Sequence, residues 1–156
     1  MDPGQLGGSV NMGGPAHVIC SGLFYVSGVV QAPGAEERYL ACRIKGAGTV
    51  VLSACSHAGI VNICQDAASR LGHDMCAVIG GLHLSGGGVA EEVELVRRTV
   101  EGLKRMQPDV VLAGHCTGWR AKAALSQSFG GAFQPLAVGG QYVFSPPPLW
   151  SLVCRL

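Results

Sequence analysis

Between residues 49 and 128 the chain repeats one pattern three times: a short apolar run, a glycine-flanked turn holding a histidine, and a stretch of helical period. The apolar runs are TVVLSA (49–54), MCAVI (75–79) and DVVLA (109–113). They are apolar at consecutive positions rather than alternate ones, as expected of strands covered on both faces. The periodic stretches are residues 59–71, 89–106 and 119–128. Strand followed by helix three times over predicts an α/β fold with parallel strands joined by crossover helices.

Each helix carries its own punctuation. In 59–71, Ile60, Ile63, Cys64, Ala67 and Leu71 share one side and Gly72 follows as a stop. In 89–106, Val89, Val93, Val96, Val100 and Leu103 form an apolar stripe. Glu91, Glu92 and Glu94 stand near its start and Lys104 and Arg105 near its end, the distribution the helix dipole favours. Upstream, residues 17–30 read as extended with breaks at Gly22 and Gly28, a turn falls at Ala32-Pro33-Gly34, and residues 38–45 read as a strand ending at Gly46-Ala47-Gly48. Two further strands are expected at 133–138 and 141–144, joined at Gly139-Gly140. An irregular start (1–16) and an irregular tail (145–156, with Pro146, Pro147 and Pro148) flank one domain at 17–144.

With 156 residues, 48% of them hydrophobic and 13% charged, the chain can bury one real core. A formal net charge of +1 and no basic block argue against nucleic acid as a partner. The start has no basic region leading into an apolar core, and the uncharged run 18–30 is too short for a bilayer, so no membrane role is expected. Seven cysteines, an odd number without a CxxC pair, suit neither a disulfide framework nor a zinc finger. A reducing, cytoplasmic setting is the expectation, with most thiols packing as small apolar groups.

Function concentrates at the ends of the three apolar strands, where ligands bind in open α/β sheets. His57, His83 and His115 each stand just beyond one of them, with glycine close by. Three parallel strands would bring these imidazoles to one rim, and imidazole is a common metal ligand. Cys55 and Cys116 add thiols there, and zinc accepts both atom types. Ser56 and Thr117 could line the site or cap the helices that follow. His73 lies just past a helix C-terminus and Cys64 on an apolar helix face, so both read as structural. No GxSxG elbow, Walker loop or GxGxxG follows a strand. Gly86-Gly87-Gly88 precedes a helix whose first-turn glutamates would repel an anion. A thiol-based redox or nucleophilic site at Cys55 or Cys116 is the competing chemistry.

Together, VVLSACSHAGIVN, VIGGLHL, VVLAGHCTGWRA and GGQYVF resemble the metallo-β-lactamase superfamily. More narrowly they resemble its 7,8-dihydropterin-6-methyl-4-(β-D-ribofuranosyl)-aminobenzene-5′-phosphate synthase-like branch. The resemblance covers roughly residues 20–144. It implies an αββα sandwich with a mono- or dinuclear site for zinc or another divalent metal, and metal-activated water as nucleophile. It implies that His57 and His115 are metal ligands, that Cys55 is a further ligand near where relatives place a bridging aspartate, and that His83 lines the site; Ser56, Cys116 and Thr117, beside these residues in sequence, are read as lining it too. A small-molecule substrate, of the phosphorylated pterin type, is likewise implied. The superfamily's HxHxDH motif is missing from this sequence. The expectation is therefore a C-terminal part of the sandwich, whose uncovered sheet face would pair with another chain. The alternative is a non-catalytic binding or degenerate form without a working metal site.

Overall fold

The computed structural model describes residues 14–19, 24–32, 34–86 and 88–144. The irregular segments expected at 1–13 and 145–156 lie outside them.

The three strand–helix units form where the sequence places them. Strand β6 (Gly48–Ser53) leads to α1 (Ile60–Leu71), β7 (Met75–Gly81) to α2 (Val89–Met106), and β8 (Val110–Gly114) to α3 (Trp119–Phe129). Upstream come β1 (His17–Ile19), β2 (Phe24–Val26), β3 (Val30–Ala32), β4 (Ala35–Glu37) and β5 (Tyr39–Ile44); β9 (Phe133–Pro135) closes the series. Seven strands make one sheet in the order β1-β2-β5-β6-β7-β8-β9, while β3 and β4 pair only with each other. The β5–β6 hairpin is antiparallel. Strands β6, β7, β8 and β9 run parallel, so the ends of the three histidine-bearing strands point the same way.

Alternate residues of the central strands serve opposite faces. Val51, Val78 and Val111 join Ile60, Ile63, Cys64, Val96, Leu103, Ala121 and Leu125 in the main core, which places the three helices over this face. Val50, Cys76 and Ala77, with partly buried Ile44, Leu52, Ile79 and Val110, form a smaller apolar cluster on the other face. Of the α2 stripe, Val96, Val100 and Leu103 are buried, while Val89 and Val93 at the first turns stay exposed. Cys64 is fully buried, the packing role read for it.

Two local expectations fail. Residues 141–144 are not a strand, and the strand expected over 133–138 is shorter: β9, at the sheet edge, stops at Pro135, with one further bond from the Leu136 N–H to the Ala113 carbonyl at 3.0 Å. All three helices are preceded by glycine at the N-cap (Gly59, Gly88, Gly118), so neither Ser56 nor Thr117 caps one.

Candidate metal centre

Strand β7 lies between β6 and β8 and would normally hold their end loops apart. It ends in Gly80-Gly81, and this removes the barrier. A Cβ on Gly80 would stand 1.7 Å from the Ser53 carbonyl oxygen; one on Gly81 would stand 2.5 Å from the Ala54 oxygen and 2.7 Å from Cys116 Sγ. Only hydrogen fits at these two positions. The turn after β8 therefore crosses over Gly81 and reaches the turn after β6.

The three turns lock to one another by hydrogen bonds. The buried Ser56 hydroxyl donates to the Gly81 carbonyl at 2.6 Å and meets the Ser53 hydroxyl at 2.9 Å. Thr117 Oγ1 accepts the Leu82 N–H at 3.0 Å. The Cys116 carbonyl accepts from Leu84 N at 3.1 Å and from Ser85 Oγ at 3.0 Å. Each turn also holds a residue in the left-handed region, Ser56 (φ 62°), His83 (φ 50°) and His115 (φ 50°). A side chain in that conformation costs about 1–3 kcal/mol, and such residues gather where the surrounding structure holds a site in place.

The outcome is a compact donor group. His115 Nε2 stands 3.0 Å from Cys55 Sγ. Cys116 Sγ accepts the His83 N–H at 3.2 Å and faces the Cys55 carbonyl oxygen at 3.4 Å. The ligand atoms of Cys55, His115 and Cys116 all lie within 4.8 Å of one another, and no other group of this kind occurs among the described residues. In tetrahedral zinc sites, bonds of ~2.3 Å to sulfur put two thiolates about 3.7 Å apart. The spacing thus needs little contraction to hold an ion, and two sulfurs with one imidazole nitrogen are a soft set that suits zinc. The Cys55 thiol is held above the ordinary thiol range, first by loss of water around it, then by hydrogen bonding to Cys116 and by the negative charges of Cys116 and Glu37.

A second cluster adjoins the first. The rings of His57 and His83 are 4.4 Å apart, tilted by 57°. His57 Nδ1 lies 3.2 Å from Glu37 Oε2. Every site residue read from the sequence therefore falls on this one rim: Cys55, His115 and Cys116 in the donor trio, His57 and His83 beside it, Ser56 and Thr117 beneath, tying the turns together. Cys116, read as a lining residue, stands within the trio, and His57, read as a ligand, lies beside it with Nδ1 against Glu37. Glu37 itself was invisible to sequence reasoning, because a glutamate in a short Ala-Glu-Glu stretch carries no sign of a partner twenty residues on. His17, by contrast, is remote in kind: exposed, with its ring against the Pro15 carbonyl.

Comparison with known proteins gives this geometry a setting. No protein-family model matches the chain. The 7,8-dihydropterin-6-methyl-4-(β-D-ribofuranosyl)-aminobenzene-5′-phosphate synthase of Methanocaldococcus jannaschii is 32% identical over 93 residues, which are 59% of this chain and 30% of the relative. The crystal structure of Tm1679, described as a metal-dependent hydrolase of the β-lactamase superfamily, superposes with a TM-score of 0.70 at 24% identity, over 85% of this chain and 57% of that one. The chain thus spans less than a third of the curated relative's length. The architecture is that of the β-lactamase superfamily's α/β fold. Fold and sequence together support a metallo-β-lactamase-like relationship, the resemblance its motifs carry.

Proposed function

We propose that this chain supplies the metal-holding C-terminal rim of a metal-dependent, hydrolase-like or pterin-phosphate synthase-like enzyme, with zinc as the metal. The observation that carries this reading is the convergence of Cys55, His115 and Cys116 within 4.8 Å at the ends of parallel strands. The strong fold match to a protein described as a metal-dependent hydrolase supports the same chemistry. Cys55 and Cys116 would bind as thiolates and His115 through Nε2, with His57 offering its remaining ring nitrogen from the adjacent cluster. When bound, zinc supplies Lewis-acid polarisation and activation of water. The protein's own contribution is to hold the donors rigidly, through the strained turns and the bonds of Ser56 and Thr117. A small, phosphorylated substrate is proposed from the name of the archaeal relative alone.

The test is zinc titration of the purified chain. The reading expects one tightly held ion and at least a tenfold loss of affinity in His115→Ala. Affinity unchanged in that variant would overturn it.

A second reading is a non-catalytic binding form without a working metal site, resting on the apolar sheet face of Val50, Cys76 and Ala77 as a surface for another chain. The same titration separates the two, because this reading expects no zinc bound above background.

A further inference from the structure

The geometry points to Glu37 as a positioning residue for His57, one that fixes the proton on Nδ1 and leaves Nε2 as the basic nitrogen. Glu37 ends the β3–β4 hairpin, which pairs with no strand of the main sheet. Its carboxylate is nearly buried, with 11% of the side chain exposed. Three donors converge on it: Oε2 accepts the His57 N–H at 3.0 Å and faces His57 Nδ1 at 3.2 Å, while Oε1 accepts the Ala58 N–H at 2.8 Å.

A purely structural role would account for two of these bonds. Helix α1 begins after Gly59, which has no side chain to cap it, so the amides just upstream need an acceptor from elsewhere. The third bond is different, because capping does not involve the imidazole. An ionised carboxylate only accepts hydrogen bonds, so a neutral His57 must carry its proton on Nδ1 to make this contact. Free neutral imidazole has no such constraint. Histidines that serve metals are commonly held in this way, with one nitrogen bonded to a carboxylate and the other left as the ligand. Among the described residues Nε2 of His57 has no hydrogen-bond partner, and the ring is held against His83 at 4.4 Å. A hairpin outside the main sheet thus sets the chemistry of an imidazole at the sheet's end.

What Nε2 meets in the working protein rests on the metal-dependent reading above; the proton's position does not. Long-range proton–nitrogen NMR of the metal-free chain, above the pH at which histidine titrates, reads it directly. The expected wild-type signature is a dominant Nδ1–H form of His57 that responds to Glu37, whereas the Nδ1–H preference that the Pro15 carbonyl gives His17 does not. In Glu37→Gln the dominance should fall at least severalfold, and Glu37→Asp should restore part of it. A merely structural cap would lower the melting temperature in Glu37→Gln and leave the tautomer ratio unchanged. That result, or a wild-type His57 carrying its proton on Nε2, overturns the proposal. Because zinc is absent from the measurement, failed zinc binding and a failed tautomer preference are separate outcomes. If Glu37→Gln does not fold, the wild-type spectrum alone still decides.

Discussion

His115 Nε2 and Cys55 Sγ lie 3.0 Å apart although sixty residues separate them, and the contact spans the end of the strand between them. The Cys55 thiol is held above its ordinary value, chiefly by loss of solvent, so near neutral pH it keeps its proton in the absence of metal. A metal must displace that proton, since the thiolate is the ligand. Zinc affinity should therefore rise with pH across the range from about 6 to 9 and fall below it, with protons released on binding. Calorimetry in two buffers of different ionisation enthalpy should report about one proton or more per zinc; equal heats in both would contradict this.

The thiols should also separate by reactivity. Burial pushes the Cys64 thiol up to about 12, and the side chain has no exposed surface. In the folded chain Cys64 should alkylate at least about a hundredfold more slowly than after denaturation. Cys55 and Cys116 are only partly buried and should react in the zinc-free protein. Zinc should protect those two together, as mass spectrometry of the modified peptides would show.

The glycine pair at the end of β7 is the structural condition for the site. Gly80→Ala places a Cβ 1.7 Å from the Ser53 carbonyl oxygen at a φ of 137° and should cost more than about 3 kcal/mol, or prevent folding. Gly81→Ala presses on Cys116 Sγ and on the Ala54 oxygen; it should cost about 1–3 kcal/mol and weaken zinc binding by tenfold or more. Gly131→Ala meets no atom within 4 Å and should change stability by less than about 0.5 kcal/mol. Urea unfolding of the three variants orders them.

Much of this architecture was legible in the residues, and the limits have physical causes. Helix α2 runs over 89–106 as its valine stripe and end charges indicate, and the three buried strands follow from runs too short and too apolar for anything else. These are local signals. Strand β4 escaped notice because Ala35-Glu36-Glu37 has no strand-like alternation and forms only by pairing with β3. The three histidines do share one rim, as their positions after parallel strands indicate, but division of that rim into a thiol-rich trio and an imidazole–carboxylate pair depends on contacts between distant turns. Cys116 reaches Cys55 only because Gly81 lies beneath it, and no spacing rule contains that fact.

A surface prediction follows from α2. Glu94 accepts from Arg97 and Arg98, and these hydrogen bonds lower its carboxyl to about 2. A depressed carboxyl contributes stability that is present above the ordinary glutamate value of about 4.3 and lost as pH falls toward about 2. The wild type should therefore exceed Glu94→Gln in urea midpoint at pH 6, by a small margin that salt reduces, and match it near pH 2. A margin that persists at pH 2 would mean the carboxylate's charge is not its source.

The most direct test of the central claim is the absorption spectrum of the cobalt(II)-loaded chain, because thiolate ligands give cobalt a strong near-ultraviolet charge-transfer band that imidazoles and carboxylates do not. Two thiolates on one ion predict an intense band at one equivalent of cobalt, reduced by about half in Cys55→Ser and again in Cys116→Ser, and lost in the double variant. Tight cobalt binding without that band, or a band untouched by either substitution, would contradict the account.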